Sequence, residues 1–128
     1  DGFYPVFLDP FADPHRHSDL QDIIGEELNV LGRETSEFIM MAATTMRVTD
    51  SEDSLSATAP RKICSGSAEQ VIEDLNEFAL AGYSLVVAKM DCPSGEVAEV
   101  KEQIERVGAE VIPHCDSLTI SGDWKTDF

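Results

Sequence analysis

The stretch from Gly66 to Met90 constrains the fold more than any other part of the chain. Ser67 is followed three residues later by Gln70, the reciprocal arrangement of a capping box. Val71, Ile72, Leu75, Phe78 and Ala79 then share one face of a helix, and Gly82 ends it. SLVVAKM, residues 84–90, follows at once. It is a near-continuous apolar run of strand length, as expected of a parallel strand covered on both faces. A short strand around Lys62 to Cys64 precedes the helix, and Cys92-Pro93-Ser94-Gly95 turns the chain after the second strand. Val97, Val100, Ile104 and Val107 keep the three-and-four spacing of another helix, from about Gly95 to Val107. Strand, helix, strand, helix at these lengths predicts a parallel α/β arrangement with a right-handed crossover. AEVIP, residues 109–113, either adds a short strand or extends the last helix.

Upstream the signals are weaker. Phe3 to Leu8 reads as a short strand stopped by turns at Asp9-Pro10 and Asp13-Pro14. Leu20, Ile23, Ile24, Leu28 and Leu31 predict an amphipathic helix from about Ser18, ended by Gly32. A second helix is expected from Glu34 through Met46, with Phe38, Ile39, Met41, Ala42 and Thr45 as its apolar flank. TDSEDSLSATAP, residues 49–60, has no period and reads as an exposed loop or linker. The closing SGDWKTDF reads as a tail that docks through Trp124 or frays. The expected organisation is a mostly helical section over 1–48, the linker over 49–60, a βαβα section over 61–113 and a tail over 114–128.

With 128 residues the chain suits one domain, whereas a complete eight-fold barrel needs about 250. Nine Lys and Arg against 25 Asp and Glu give a net charge of −16. Such a surface repels phosphate backbones and anionic headgroups, so neither nucleic acid nor a membrane is expected as a partner. Only four of the basic residues are Lys, which a salt-rich habitat would also explain. No apolar run approaches 18 residues and the N-terminus has no signal-peptide pattern. The first residue is Asp1 rather than Met, which fits a processed or excised piece. Cys64, Cys92 and Cys115 are odd in number and widely spaced, which favours reduced thiols and a cytoplasmic setting.

Gly66-Ser67, Glu69-Gln70-Val71, Ala81-Gly82 and Leu85 to Ala88 together resemble the penultimate helix and last barrel strand of the bacterial luciferase-like family. The helix from Val97 to Val107 falls where that family's last helix would. The resemblance covers about 50 of the 128 residues. It implies a partial (β/α) barrel-like, TIM-barrel-derived fold and a flavoprotein oxidoreductase or monooxygenase using FMN or deazaflavin. Its partners would be reduced flavin and a small organic substrate, with a second copy or another chain completing the barrel.

Candidate site residues come from the residues themselves. Gly66-Ser67 at a helix start presents backbone N–H groups to a phosphate, with Arg61 or Lys62 to neutralise it. Capping and turn geometry explain the same pair without a ligand. Lys89, at the end of its strand, is placed to face a ligand anion. His15 and His17 would share one face if extended, near Asp9, Asp13 and Asp19, and suit proton transfer or zinc; the flanking Pro and polar residues favour a solvated loop. Cys92 precedes Pro93 at a strand end, where active residues of α/β proteins gather, but an incidental thiol fits too. His114 and Cys115 are adjacent and do not converge as base and nucleophile. There is no Walker motif, Rossmann fingerprint, zinc-finger spacing or HExxH. Beside the flavin enzyme stands a second reading: a non-catalytic acidic α/β interaction module whose complex with a basic partner weakens in salt.

Overall fold

FIMMAATTMRV decides the architecture, because it is a strand and not the expected helix. In the computed structural model, which describes residues 2–3, 14–50, 61–116 and 118, strand β2 spans Ile39–Val48. Met40, Ala42, Thr44, Met46 and Val48 are buried and their odd-numbered neighbours are not, a period of two. Met and Ala suit either structure, so Thr44, Thr45 and Val48 tip the choice: β-branched side chains lose χ1 freedom in a helix and pack well on a pleated surface. Of the expected helix only a 3-10 turn over Thr35–Glu37 remains.

Around it lie β1 (Gly2–Phe3), α1 (Pro14–Val30), β3 (Ser65–Gly66), α2 (Ala68–Leu80), β4 (Leu85–Met90) and α3 (Val97–Arg106). A π-turn over Val107–Val111 and a short α4 (Ile112–Cys115) continue α3. The last helix is therefore extended through AEVIP, with no further strand there. Pro113 accounts for the widened turn: it has no N–H for the carbonyl four residues back and its ring crowds that carbonyl. The Arg106 guanidinium spans the turn, donating to Glu110 at 3.1 and 3.2 Å.

β1 and β3 pair with β2 in parallel, β1 opposite Ile39 and Met40, β3 opposite Arg47 and Val48. β4 also pairs with β2. The backbone groups of alternate residues along a strand point to opposite edges. The N–H groups of Arg47 and Thr49 bond Cys64 and Gly66, whereas the carbonyls of Met40 and Met46 accept from Ser84 and Asp91. β3 and β4 therefore lie on opposite edges of β2.

That order overturns the barrel expectation. In a (β/α) barrel the strands before and after a helix are neighbours, and the last strand closes onto the first. Here β2 separates the strands that flank α2, and among the described residues every pairing runs to β2, so the sheet is open. The partial barrel, its luciferase-like resemblance, and the partner chain that was to complete it are withdrawn. What stands is a small α/β fold with an open parallel sheet.

The chain forms two compact units whose boundaries cut β2 after Ala43, α2 before Phe78 and β4 after Val87. In the first, Leu28, Met40, Ala42, Phe78, Ala79 and Tyr83 are buried, with the Phe78 and Tyr83 rings edge to face at 5.7 Å. The buried Gln21 amide donates to Ala81 O at 2.8 Å and fastens α1 to the turn after α2. In the second, Met46, Val48, Cys64, Val71, Leu75, Val107 and Val111 form the core. β4 departs from expectation in its burial, because Leu85, Val87 and Lys89 are exposed and their alternates half-buried, so the strand is not covered on both faces. Its apolar composition alone suggested otherwise. Residues 4–13, 51–60 and 119–128, and with them most of the first expected strand, the linker and Trp124, lie outside the described residues.

Candidate functional site at the strand ends

In open α/β sheets ligands gather beyond the C-terminal ends of the strands, where successive connections leave in opposite directions. β2 lies between β3 and β4, so that place is formed here by Arg47 to Thr49, Gly66-Ser67 and Asp91 to Gly95.

On the β3 side, Cys64 is wholly buried with φ 56°, a left-handed conformation that costs a non-glycine residue about 1–2 kcal/mol. Asp74 on α2 holds it, accepting the Cys64 N–H at 2.7 Å. The same carboxylate takes both guanidinium nitrogens of Arg61, at 2.6 and 2.8 Å, and Arg61 also donates to Ser65 O. The next residue, Gly66, has φ 145° and lies so close to Gln70 that a Cβ would clash with its Oε1. This contact is part of the capping box, which forms as expected: Ser67 N–H donates to Gln70 Oε1 at 3.0 Å and Gln70 N–H to Ser67 Oγ at 3.3 Å.

On the β4 side, Cys92 to Gly95 is a turn closed by Gly95 N–H to Cys92 O, with Pro93 at its second position and Gly95 at φ 68°. Ser94 Oγ accepts the Glu96 N–H at 3.1 Å, and both the Ser94 hydroxyl and its N–H donate to Glu99. Arg47, at the end of β2, donates to Glu99 at 2.7 Å and to Asp91 O at 2.8 Å. The Ser94 hydroxyl, then Arg47, hold the Glu99 carboxyl below the usual carboxylate range. Desolvation and the Glu99 charge push the Cys92 thiol up, against the pull of Arg47. The thiolate is the reactive form, so Cys92 is poorly set up as a nucleophile.

Gln103 on α3 completes the edge. Its amide donates to Val48 O at 3.0 Å and accepts Val48 N–H at 2.8 Å. Val48 and Gln103 are 1% and 4% exposed. A side chain thus takes the place of the next strand residue where β4 has turned away.

The structure brings Arg61, Gly66 and Ser67 together, but the Ser67 N–H is engaged by Gln70, and the Arg61 charge by Asp74. Lys62 pairs with Asp91 at 3.3 Å. Lys89 is exposed on β4. His15 and His17 belong to the first turns of α1, so their backbone is helical, and positions two apart on a helix are separated by about 200°. Neither the extended geometry that would align them nor the favoured loop describes their backbone. Among the described residues no group of three His, Cys, Asp or Glu side chains converges, and no helix is long and apolar enough to cross a membrane. Sequence reasoning passed over Arg47, Glu99 and Gln103, and Asp74 reads from sequence only as part of a helix's solvated face. Glu99 carried one signal, an acidic residue in the first turn of a helix.

Comparison of the chain with protein-family models, curated proteins and solved structures returned no match. The flavin-dependent monooxygenase reading, and with it FMN or deazaflavin, rested on the barrel resemblance that the strand order overturns. It is withdrawn with that resemblance.

Proposed function

We propose that the domain is a non-catalytic interaction module that presents an acidic face to a basic protein partner. The observation that carries this reading is the outer row of α2. Glu69, Glu73 and Glu77 are all exposed, at successive four-residue steps, opposite the buried Val71, Leu75 and Phe78. Like charges at that spacing cost a helix about 0.2–0.5 kcal/mol per pair, and Glu77 stands in the last turn, where the helix dipole favours a cation. Glu69 in the first turn is favoured by the dipole, but Glu73 and Glu77 work against the helix, which the buried face holds in place. Among the described cations Arg33, Arg47, Arg61, Lys62, Lys101 and Arg106 are each matched with another carboxylate, and of these Arg61 is also near enough to Glu73 to feel its charge. A partner with Lys or Arg at matching steps removes the repulsion and gains charge complementarity. No disulfide joins Cys64, Cys92 and Cys115; three reduced thiols fit a cytoplasmic module.

Titration of the chain with an oligolysine peptide at rising ionic strength tests this. Binding should weaken with salt, and the triple substitution E69Q/E73Q/E77Q should lower affinity by about five- to thirty-fold, the sum of three modest charge contacts. The control D22N/E26Q/E27Q removes the same charge from exposed positions on α1. Equal losses from both triples, or no loss from the first, would refute the assignment of the face.

A further inference from the structure

The helical segment Val97–Cys115 carries two apolar rows. Val107 and Val111, with Gln103, face the core. Val97, Ile104 and Ile112 form a second row that is 81%, 57% and 56% exposed. Gly108 belongs to that row, with nothing within 4 Å of where its Cβ would stand. The steps are seven, four and four. A four-residue step drifts by about 40° in an α-helix, and the wider π-turn takes up that drift and keeps Ile104, Gly108 and Ile112 in line.

We propose that this row is a self-association surface that pairs antiparallel with the same row of a second copy of the chain. Two observations commit it to a second copy. The row is self-complementary: a two-fold axis midway between Val97 and Ile112 sets each against the other's counterpart, Ile104 beside Ile104, and the Lys101 stem over the open surface of Gly108. The flanking charges are self-complementary as well. Lys101 and Glu105 are 75% and 67% exposed and 3.8 Å apart on one helix edge. Antiparallel pairing brings Lys101 of one copy within a helical turn of Glu105 of the other, an isologous exchange.

This inference does not rest on the α2 reading, and salt separates the two. Each copy carries −16, so copies repel at long range until salt screens them. Self-association should therefore tighten as salt rises, while partner binding at the α2 row weakens. Sedimentation velocity of the whole chain across concentrations, at about 0.1 and 1 M NaCl, reads it, since the Debye length falls from about 10 to 3 Å. A dimer favoured at the higher salt is expected. Ile104→Asp should weaken it about 30-fold, the loss for a central anchor residue. K101E alone should weaken it and K101E/E105K should recover most of the loss. Should I104D disturb the fold by circular dichroism, Val97→Asp probes the same row at a more exposed position. A wild-type chain that stays monomeric at every concentration in both salts would overturn the proposal. So would a dimer whose dissociation constant these substitutions leave within about twofold.

Discussion

Replacing Gln103 with Leu tests whether a side-chain amide really ends the sheet. Leu keeps most of the volume and apolar contact of a residue that is 4% exposed, but it removes both hydrogen bonds to Val48. Val48 N–H and C=O are then left buried without these partners, at about 1–3 kcal/mol each. Offsetting roughly 1–2 kcal/mol for the added apolar burial leaves a net loss of about 3 kcal/mol. A small domain has about 5–15 kcal/mol in all, so the effect is large. Urea unfolding gives the stability difference, and hydrogen exchange at the Val48 amide locates it. Glu at the same position adds a sign. It can still accept the Val48 N–H, but as a carboxylate it cannot donate to Val48 O; only the protonated acid can. Its folded pKa is therefore raised, so the contribution of the restored bond is present below the unfolded value and lost as pH rises through the folded one. The gap between Q103E and wild type should narrow from pH 7 toward about pH 4. A Q103L chain within about 0.5 kcal/mol of wild type, with unchanged exchange at Val48, would refute the reasoning.

Two further outcomes follow from the strand-end contacts. Asp74→Ala strands the Arg61 guanidinium and the buried Cys64 N–H together, and should cost about 2–3 kcal/mol, read as a lowered urea midpoint. The Glu99 carboxyl is held low, chiefly by the Ser94 hydroxyl and then by Arg47. Its stabilising contribution is present above the ordinary Glu value of about 4.3 and lost as pH falls through the lower folded value, so thermal melts of E99Q should be flatter than wild type across that acid window.

The legible parts of the fold were those where two local signals agreed. Ser67 with Gln70, then Gly82 after a three-and-four apolar face, placed α2 almost to the residue, because capping, period and stop are all properties of a short stretch. Residues 38–48 had no such agreement. Phe38, Ile39, Met41, Ala42 and Thr45 satisfy a helical stripe, while Met40, Ala42, Thr44, Met46 and Val48 satisfy a strand face. Met and Ala fit both, so the choice fell to the β-branched Thr44, Thr45 and Val48 together with pairing partners remote in sequence: β1, β3 and β4. The barrel reading failed for a related reason. Helix-then-strand signals are the same whether the next strand lands beside the last one or across a third, and only β2, misread as a helix, held that information.

The strand-end contacts were hidden by a different rule. Arg47, Asp74, Glu99 and Gln103 each look like ordinary polar surface in a linear reading, and each meets a partner 10 to 55 residues away. What joins them is a shared need. β2 continues past the point where its neighbours turn off, and every buried backbone group left there requires a partner. Gln103 supplies one to Val48, Arg47 ties the departing β4 chain to α3, and Asp74 steadies the strained entry to β3. Once these side chains are assigned to closing the sheet, the Glu row of α2 and the apolar row of α3 are among the described features left facing outward, beside Ile23, Val30 and Leu31 upstream and Leu85 and Val87 on β4. Those two rows are at odds with the stability or solubility of an isolated chain, which is why the search for partners belongs there.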